Sequence, residues 1–191
     1  MTEQCFIDNG DEMTNLTSLF KSLKFLCQDH CLVGATLDYE MFPVMKRSTK
    51  DRLYEEASSK GIHGRQMYSI LDVREIIQLD DENKNVKNVR LVRVKYPWAG
   101  SIEWKGACSD FDKAFWNAGT KSAFKTRNKI DEDENEIEEE QAETHGQRYI
   151  HEWDNTNDGV FTMLIEDFAK YMNHLTICRP IDKTWTQLVY H

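Results

Sequence analysis

The sequence has few of the features that mark membrane, secreted or zinc-binding proteins. No apolar run approaches the roughly 20 residues that a bilayer crossing requires, and the opening stretch MTEQCFIDNGDEMTNL has neither the basic start nor the apolar core of a secretory signal. The five cysteines are odd in number, and Cys27 and Cys31 have no second Cys or His pair that would complete a zinc site. We therefore predict reduced thiols in a cytoplasmic protein that does not bind a membrane.

Clustered basic residues are also absent. Nine of the 33 acidic residues lie between 131 and 143, so the acidic residues elsewhere equal the 24 lysines and arginines in number. Without a basic patch, binding to nucleic acid is not expected. The surrounding segment 128–150 has too few apolar residues to fold alone, and we predict a disordered acidic insertion there. Its simplest interpretation is a solvated insertion, and a site for a basic protein partner is the alternative.

The pattern of apolar residues favours one α+β domain over residues 1–191, with an antiparallel β-sheet core and a few flanking helices. Helical spacing predicts an amphipathic helix over Leu16–Leu26, capped by Thr14 or Asn15. Residues 40–59 are predicted to form a loop or an irregular helix, and the polar stretch 79–87 a turn between two antiparallel strands. The remaining predicted elements are strands at Leu32–Leu37, Gln66–Ile77, Val89–Val94, Val160–Ile165, Leu175–Cys178 and Trp185–Tyr190, and a short helix at Glu166–Met172.

Four segments carry a resemblance to a known family: Leu19–Asp38, Gly61–Val73 (GIHGRQMYSILDV), Val89–Asp110 (VRLVRVKYPWAGSIEWKGACSD) and Asp158–Cys178. In the same order, they resemble the second subdomain of the calpain protease core, a papain-like cysteine protease fold. The second segment aligns with the family's glycine followed by histidine-alanine-tyrosine-serine. The third aligns with an asparagine-proline-tryptophan-glycine turn and a glutamate-tryptophan-x-glycine-alanine-tryptophan-serine-aspartate run. The resemblance implies the fold of a calcium-dependent cysteine endopeptidase.

The positions that would carry catalysis are substituted in this sequence. Such an enzyme needs a thiolate, a histidine that accepts its proton and an asparagine that orients the imidazole. The family's glutamine-glycine-x-cysteine-tryptophan motif is absent, and Cys5 lies outside any such motif. By resemblance the histidine position falls on Gln66, whose amide cannot act as a base, and the asparagine position falls on Tyr96. The resemblance therefore predicts a pseudoenzyme with no functional catalytic residue.

Two further residues near these positions carry predictions. Trp98, which the family also has, is expected to be buried and to hold its loop by packing. His63 lies three residues before Gln66, and on a continuous strand it would point to the opposite face. A wider aromatic set is expected to pack mostly in the core, with an inherited peptide-binding groove as the alternative. Its members are Tyr96, Trp98, Trp104, Phe111, Phe115 and Trp116.

The resemblance also implies a calcium site with oxygen ligands from two loops. Its carboxylates would be Glu103, Asp110 and Asp158, with a backbone carbonyl from Thr156. The family has a further glutamate where this sequence has Val160. Because calcium takes six to eight oxygen ligands, the lost carboxylate predicts weak binding at most. The simpler interpretation is that Glu103 and Asp110 are surface acids and that Asp158 begins a turn. No other cofactor is expected.

Three functions fit these observations. The first is a catalytically inactive calpain-like module that acts as a scaffold or binds protein partners. The second is one half of a calcium-dependent cysteine endopeptidase that another chain completes with the nucleophile. The third is a regulator that occupies an active calpain or its substrate. The sequence predicts a protein partner, without indicating which one.

Overall fold

The computed structural model describes residues 2–7, 12–79, 86–98, 103–125 and 156–180. Within them the chain forms a six-stranded antiparallel sheet and four α-helices, which confirms the predicted α+β class. The strands are β1 (Thr2–Phe6), β2 (Leu32–Thr36), β3 (Met67–Leu79), β4 (Val86–Lys95), β5 (Val160–Leu164) and β6 (His174–Cys178). The helices are α1 (Glu12–Gln28), α2 (Arg47–Ser59), α3 (Ala118–Lys125) and α4 (Ile165–Tyr171), and a single 3₁₀ turn spans Tyr39–Met41.

The sheet places β3 and β4 in its interior, with strand order β1-β6-β2-β3-β4-β5. Every pairing is antiparallel, as predicted for β3 and β4. Ser69 lies opposite Lys95, so the beginning of β3 and the end of β4 meet at one end of the sheet. Val160, the first residue of β5, also pairs with Lys95 and joins that end. We call this end, next to which Gln66 and Tyr96 lie, the site end.

Two apolar clusters cover the two faces of β3 and β4. Val92 and Val94 belong to a large core that α1 and α4 complete, whereas Val89 and Leu91 belong to a smaller cluster with Trp116 and Phe124. Because side chains alternate between the faces of a strand, these two pairs point in opposite directions. β4 is therefore buried on both faces, which explains why its sequence alternates only loosely between apolar and polar residues.

Sequence patterns missed three elements. Residues 47–59 form the regular helix α2, where a loop or an irregular helix was expected. Its buried contacts depend on few apolar residues, among them Ala57 and the half-buried Leu53 and Tyr54, so the apolar stripe is narrow. β1 was not predicted, and its pairing with β6 is a long-range contact. The helix α3 is only eight residues long.

Candidate functional site

The antiparallel pairing of β3 and β4 brings Gln66 and Tyr96, the residues that resemblance aligns with the family's histidine and asparagine, to the same end of the sheet. Gln66 immediately precedes β3, and Tyr96 immediately follows β4. The amide of Tyr96 donates to the carbonyl of Gly159 (2.7 Å), which fixes the chain as it leaves the strand. Gln66 and Tyr96, which the motifs align with two positions of the family, therefore lie close to each other at the site end.

Gln66 and Trp98 form a direct side-chain pair. The indole Nε1 of Trp98 donates to the amide Oε1 of Gln66 at 3.1 Å. Trp98 is 68% exposed, so the expectation of a buried packing tryptophan is wrong. The reason is that the indole is held by a polar contact at the surface and not by insertion into the core. Met67, the residue after Gln66, is also half exposed.

His63 lies in the turn before β3, not on the strand, so the prediction based on strand faces does not apply. Gly61 and Arg65 on either side of it have positive φ angles of 86° and 60°, which take the chain out of strand geometry. The imidazole stacks on the ring of Tyr96, with centroids 5.6 Å apart and planes inclined by 28°. Its Nε2 is buried and makes no hydrogen bond within the described part of the chain.

Tyr68 joins this pair to the core. Its hydroxyl accepts a hydrogen bond from the backbone N–H of His63 (2.7 Å), and its ring centroid is 5.3 Å from that of Tyr96. Tyr68 is fully buried, and this burial raises the pKa of its phenol. It also contacts Phe161 on β5. The site end is thus filled by an aromatic stack, and the motif-based analysis missed the structural role of Tyr68.

Cys5 and Cys178 lie at a distance from Gln66 in the sheet. All five cysteines are free of disulfide bonds. Cys5 is on the edge strand β1, three strands from β3, which corresponds to roughly 14 Å at the usual strand spacing. Cys178 pairs with Leu32, whereas Met67 pairs with Thr36 at the other end of β2. Cys108 is buried, and desolvation is the main cause that raises its pKa to about 12.

The residues predicted for calcium lie in two neighbouring loops. Glu103 and Asp110 are each 6% exposed, so the interpretation as surface acids is wrong. Asp158 is half-buried and accepts a hydrogen bond from the amide of Val160 (2.8 Å), which fits the predicted turn. Thr156 is exposed, and Val160, at the family's glutamate position, is buried.

The chemistry of these donors does not fit calcium. Across the described ranges, no group of three or more His, Cys, Asp or Glu residues is placed to hold a metal ion. Calcium needs six to eight oxygen ligands, and a valine side chain supplies none. Weak calcium binding remains a prediction from resemblance that this geometry does not favour.

The aromatic set divides between core and surface. Trp104 and Trp116 are buried, and Tyr96 and Phe115 are partly buried, as expected for packing residues. Phe111 is exposed, like Trp98. The predicted acidic insertion at 128–150 and the predicted strand Trp185–Tyr190 lie outside the described residues. In the parts of the chain that the structure describes, no helix has the length and apolar character to span a membrane.

Comparison with known families agrees with the resemblance read from the four motifs. The sequence profile of the family described as calpain family cysteine protease matches residues 3–179. The match covers all six strands of the described sheet except Thr2, the first residue of β1. It includes the turn with His63, the end of β4 and the Glu103 loop. This chain belongs to the calpain family of cysteine proteases.

Proposed function

We propose that this calpain-family domain is a pseudoenzyme that acts by binding a protein partner. The observation that carries the proposal is the side chain at the family's histidine position. Gln66 is an amide with no basic nitrogen, and its Oε1 accepts a hydrogen bond from Trp98. An amide cannot accept the proton of a thiol near neutral pH, so this position supplies no general base.

The nearest imidazole does not replace the missing base. His63 stacks on Tyr96, and its Nε2 is buried. A general base must reach the proton that it removes, within roughly 2.6–3.2 Å or through one water molecule. The buried Nε2 of His63 cannot meet a thiol from outside the domain unless the turn between Gly61 and Arg65 rearranges.

An exposed apolar surface at the site end supports the binding role. Trp98 is 68% exposed and Met67 is 50% exposed, on either side of the Gln66 amide. The hydrogen bond to Gln66 restricts the rotation of the indole, so less side-chain entropy is lost when a partner covers it. Tryptophan is enriched among residues whose removal weakens protein interfaces most.

A peptidase assay tests the loss of catalysis. The purified chain is incubated with a fluorogenic peptide library and with unfolded casein, with and without calcium, before and after thiol alkylation. We expect no cleavage above background in any condition. Cleavage that survives repurification and disappears after alkylation would sink the proposal, and His63→Ala would then show whether His63 is the base.

Cross-linking with mass spectrometry tests the binding role. Trp98→Ala removes the exposed indole at the site end, and Phe111→Ala removes a comparably exposed ring from another loop as the matched control. We expect the unaltered chain and Phe111→Ala to capture the same partner. Trp98→Ala should capture at least tenfold less of that partner. Equal capture by all three proteins would exclude the site end as the binding surface.

One observation favours a second candidate, a half-enzyme that another chain completes. His63 contacts Tyr96, so an imidazole does lie beside the family's asparagine position. If the turn opened on association, His63 could face a thiol from the partner. Co-expression with a chain that carries a calpain-type nucleophile helix tests this. Cleavage that requires both chains and is abolished by His63→Ala would establish the half-enzyme.

A further inference from the structure

The loop that contains Glu103 is tied to the turn before β5 by one buried hydrogen bond. The carboxylate Oε1 of Glu103 accepts from the backbone N–H of Gly159 at 2.7 Å. The carbonyl of Gly159 accepts in turn from the amide of Tyr96. Gly159 has a φ of 84°, a conformation that favours glycine. Its peptide groups therefore connect the Glu103 loop directly to the end of β4.

Glu103 is held in place from its backbone side as well. Lys105 donates its amide to the carbonyl of Lys60 (2.9 Å), which attaches the loop to the end of α2. Gly61 packs so closely that a β-carbon there would lie 1.9 Å from the Glu103 carbonyl oxygen. The carboxylate consequently reaches Gly159 from a fixed backbone, and little ordering is needed to form the bond.

Two of the acids that resemblance would assign to a metal, Glu103 and Asp158, each use one carboxylate oxygen to accept a backbone N–H. Asp158 closes its own turn by accepting from the amide of Val160. Val160 is 3% exposed and pairs with Lys95 as the first residue of β5. A calcium ion would have to take its ligands from this turn, where a buried valine contributes to the apolar core and offers no oxygen.

We infer that the Glu103–Gly159 hydrogen bond takes the place of a metal ion and makes this loop pair independent of calcium. A carboxylate that accepts from a buried N–H makes a charge-assisted bond, which is stronger than a neutral one. The bond joins the same two loops that a shared ion would join. This inference goes beyond the proposed function, because a calcium-independent loop pair is compatible with either an active or an inactive domain.

Thermal unfolding of the purified chain tests the inference. We expect the same Tm, within about 1 °C, in millimolar calcium and in a chelator, and no heat on calorimetric titration with calcium. Binding of a ligand to the folded state raises its stability with concentration. A calcium-dependent rise of several degrees, together with saturable heat, would overturn the inference.

Two substitutions at Glu103 separate the hydrogen bond from metal ligation. Glu103→Gln keeps an oxygen that accepts from Gly159 but removes the charge that calcium requires, whereas Glu103→Ala removes both. We expect Glu103→Ala to lower Tm by about 5 °C and Glu103→Gln to lower it by less than half as much. Equal losses in both variants, present only with calcium, would show that the carboxylate serves as a metal ligand. If Glu103→Ala does not fold, calorimetric titration of the unaltered chain and of Glu103→Gln with calcium still shows whether the carboxylate binds the ion.

Discussion

Two tryptophan-containing loops meet at the site end of the sheet and differ in how they are held. Trp98 is 68% exposed and its indole N–H binds the Gln66 side chain. Trp104 is 2% exposed, donates to the carbonyl of Ala107 (2.8 Å) and packs edge-on against Tyr171. Gln66 lies beside the first tryptophan. The exposed Trp98 indole is expected to change at little cost to stability, whereas the Trp104 side chain belongs to the core.

Truncation of the two tryptophans should give the largest difference in the free energy of unfolding between the loops. We expect Trp104→Ala to lower the free energy of unfolding by about 3–5 kcal/mol, because it leaves a cavity in the core. Trp98→Ala should change it by no more than about 0.5 kcal/mol, because most of its indole is already in water. Urea unfolding followed by far-UV circular dichroism measures both. Similar losses in the two variants would contradict the comparison.

Substitution of Gly61 should also destabilise the Trp104 loop strongly. Gly61 has a φ of 86°, and a β-carbon would lie 1.9 Å from the Glu103 carbonyl oxygen. We expect Gly61→Ala to cost about 3 kcal/mol or more, from backbone strain and from displacement of the Glu103 loop.

The matched control for this substitution is Gly119→Ala. Gly119 lies in α3, and the nearest atom to an added β-carbon is the Asn117 Oδ1 at 3.3 Å. Alanine favours helix over glycine, so stability should be unchanged or rise by up to about 1 kcal/mol. The prediction for Gly61 is wrong if both variants unfold at the same urea concentration.

The buried thiol of Cys108 should make stability fall at alkaline pH. Burial raises the pKa of this thiol from 9.0 to about 12. The folded state therefore retains its proton while the unfolded state loses it. The stabilisation is complete below pH 9 and decreases by about 1.4 kcal/mol per pH unit above it, up to the folded pKa.

Urea unfolding between pH 7.5 and 10.5 under reducing conditions measures this slope. Cys108→Ser keeps the size of the side chain and removes the titration, so its stability should decrease less steeply with pH. Cys5→Ser, which changes an exposed thiol, should retain the slope of the unaltered chain. A slope unaffected by Cys108→Ser would exclude this thiol as the cause.

The smallest effect is expected from the hydroxyl of Tyr68. Tyr68→Phe removes the acceptor of the His63 N–H and should cost about 1–2 kcal/mol. Tyr54→Phe removes a hydroxyl that accepts from the amide of Tyr39 (2.8 Å), and the Tyr54 ring packs on Gly64 and Arg65 of the same turn. Both variants should therefore lose stability. Tyr68→Phe should also weaken partner capture, because it loosens the turn beside Gln66, and unchanged capture would separate the aromatic stack from the binding surface.

Much of the fold was predictable because it depends on local patterns. The strands around Ile70, Val92 and Phe161 were recognised from apolar β-branched or aromatic residues between polar turns. The motifs that contain Gln66 and Tyr96 lie at the same end of the sheet in the structure. The helix α2 was not recognised as regular, because its few apolar residues give a weak periodic signal.

The details of the site were less predictable because they depend on contacts between distant segments. His63 was assigned to a strand face, whereas positive φ angles at Gly61 and Arg65 turn it towards Tyr96. The exposure of Trp98 could not be deduced from its presence in the motif. The presence of an aromatic residue in a motif does not indicate whether core atoms cover its side chain.

The sequence by itself determined the calpain-type α+β fold, the presence of glutamine at position 66 and tyrosine at position 96, and the local concentration of acidic charge. These follow from residue identity, spacing and alternation, which act over a few residues. Only the tertiary structure decided that His63 stacks on Tyr96, that Trp98 faces solvent, and that Glu103 binds the amide of Gly159. The physical reason is that burial and hydrogen-bond partners arise from segments as far apart as residues 61, 103 and 159, whose meeting no local pattern records.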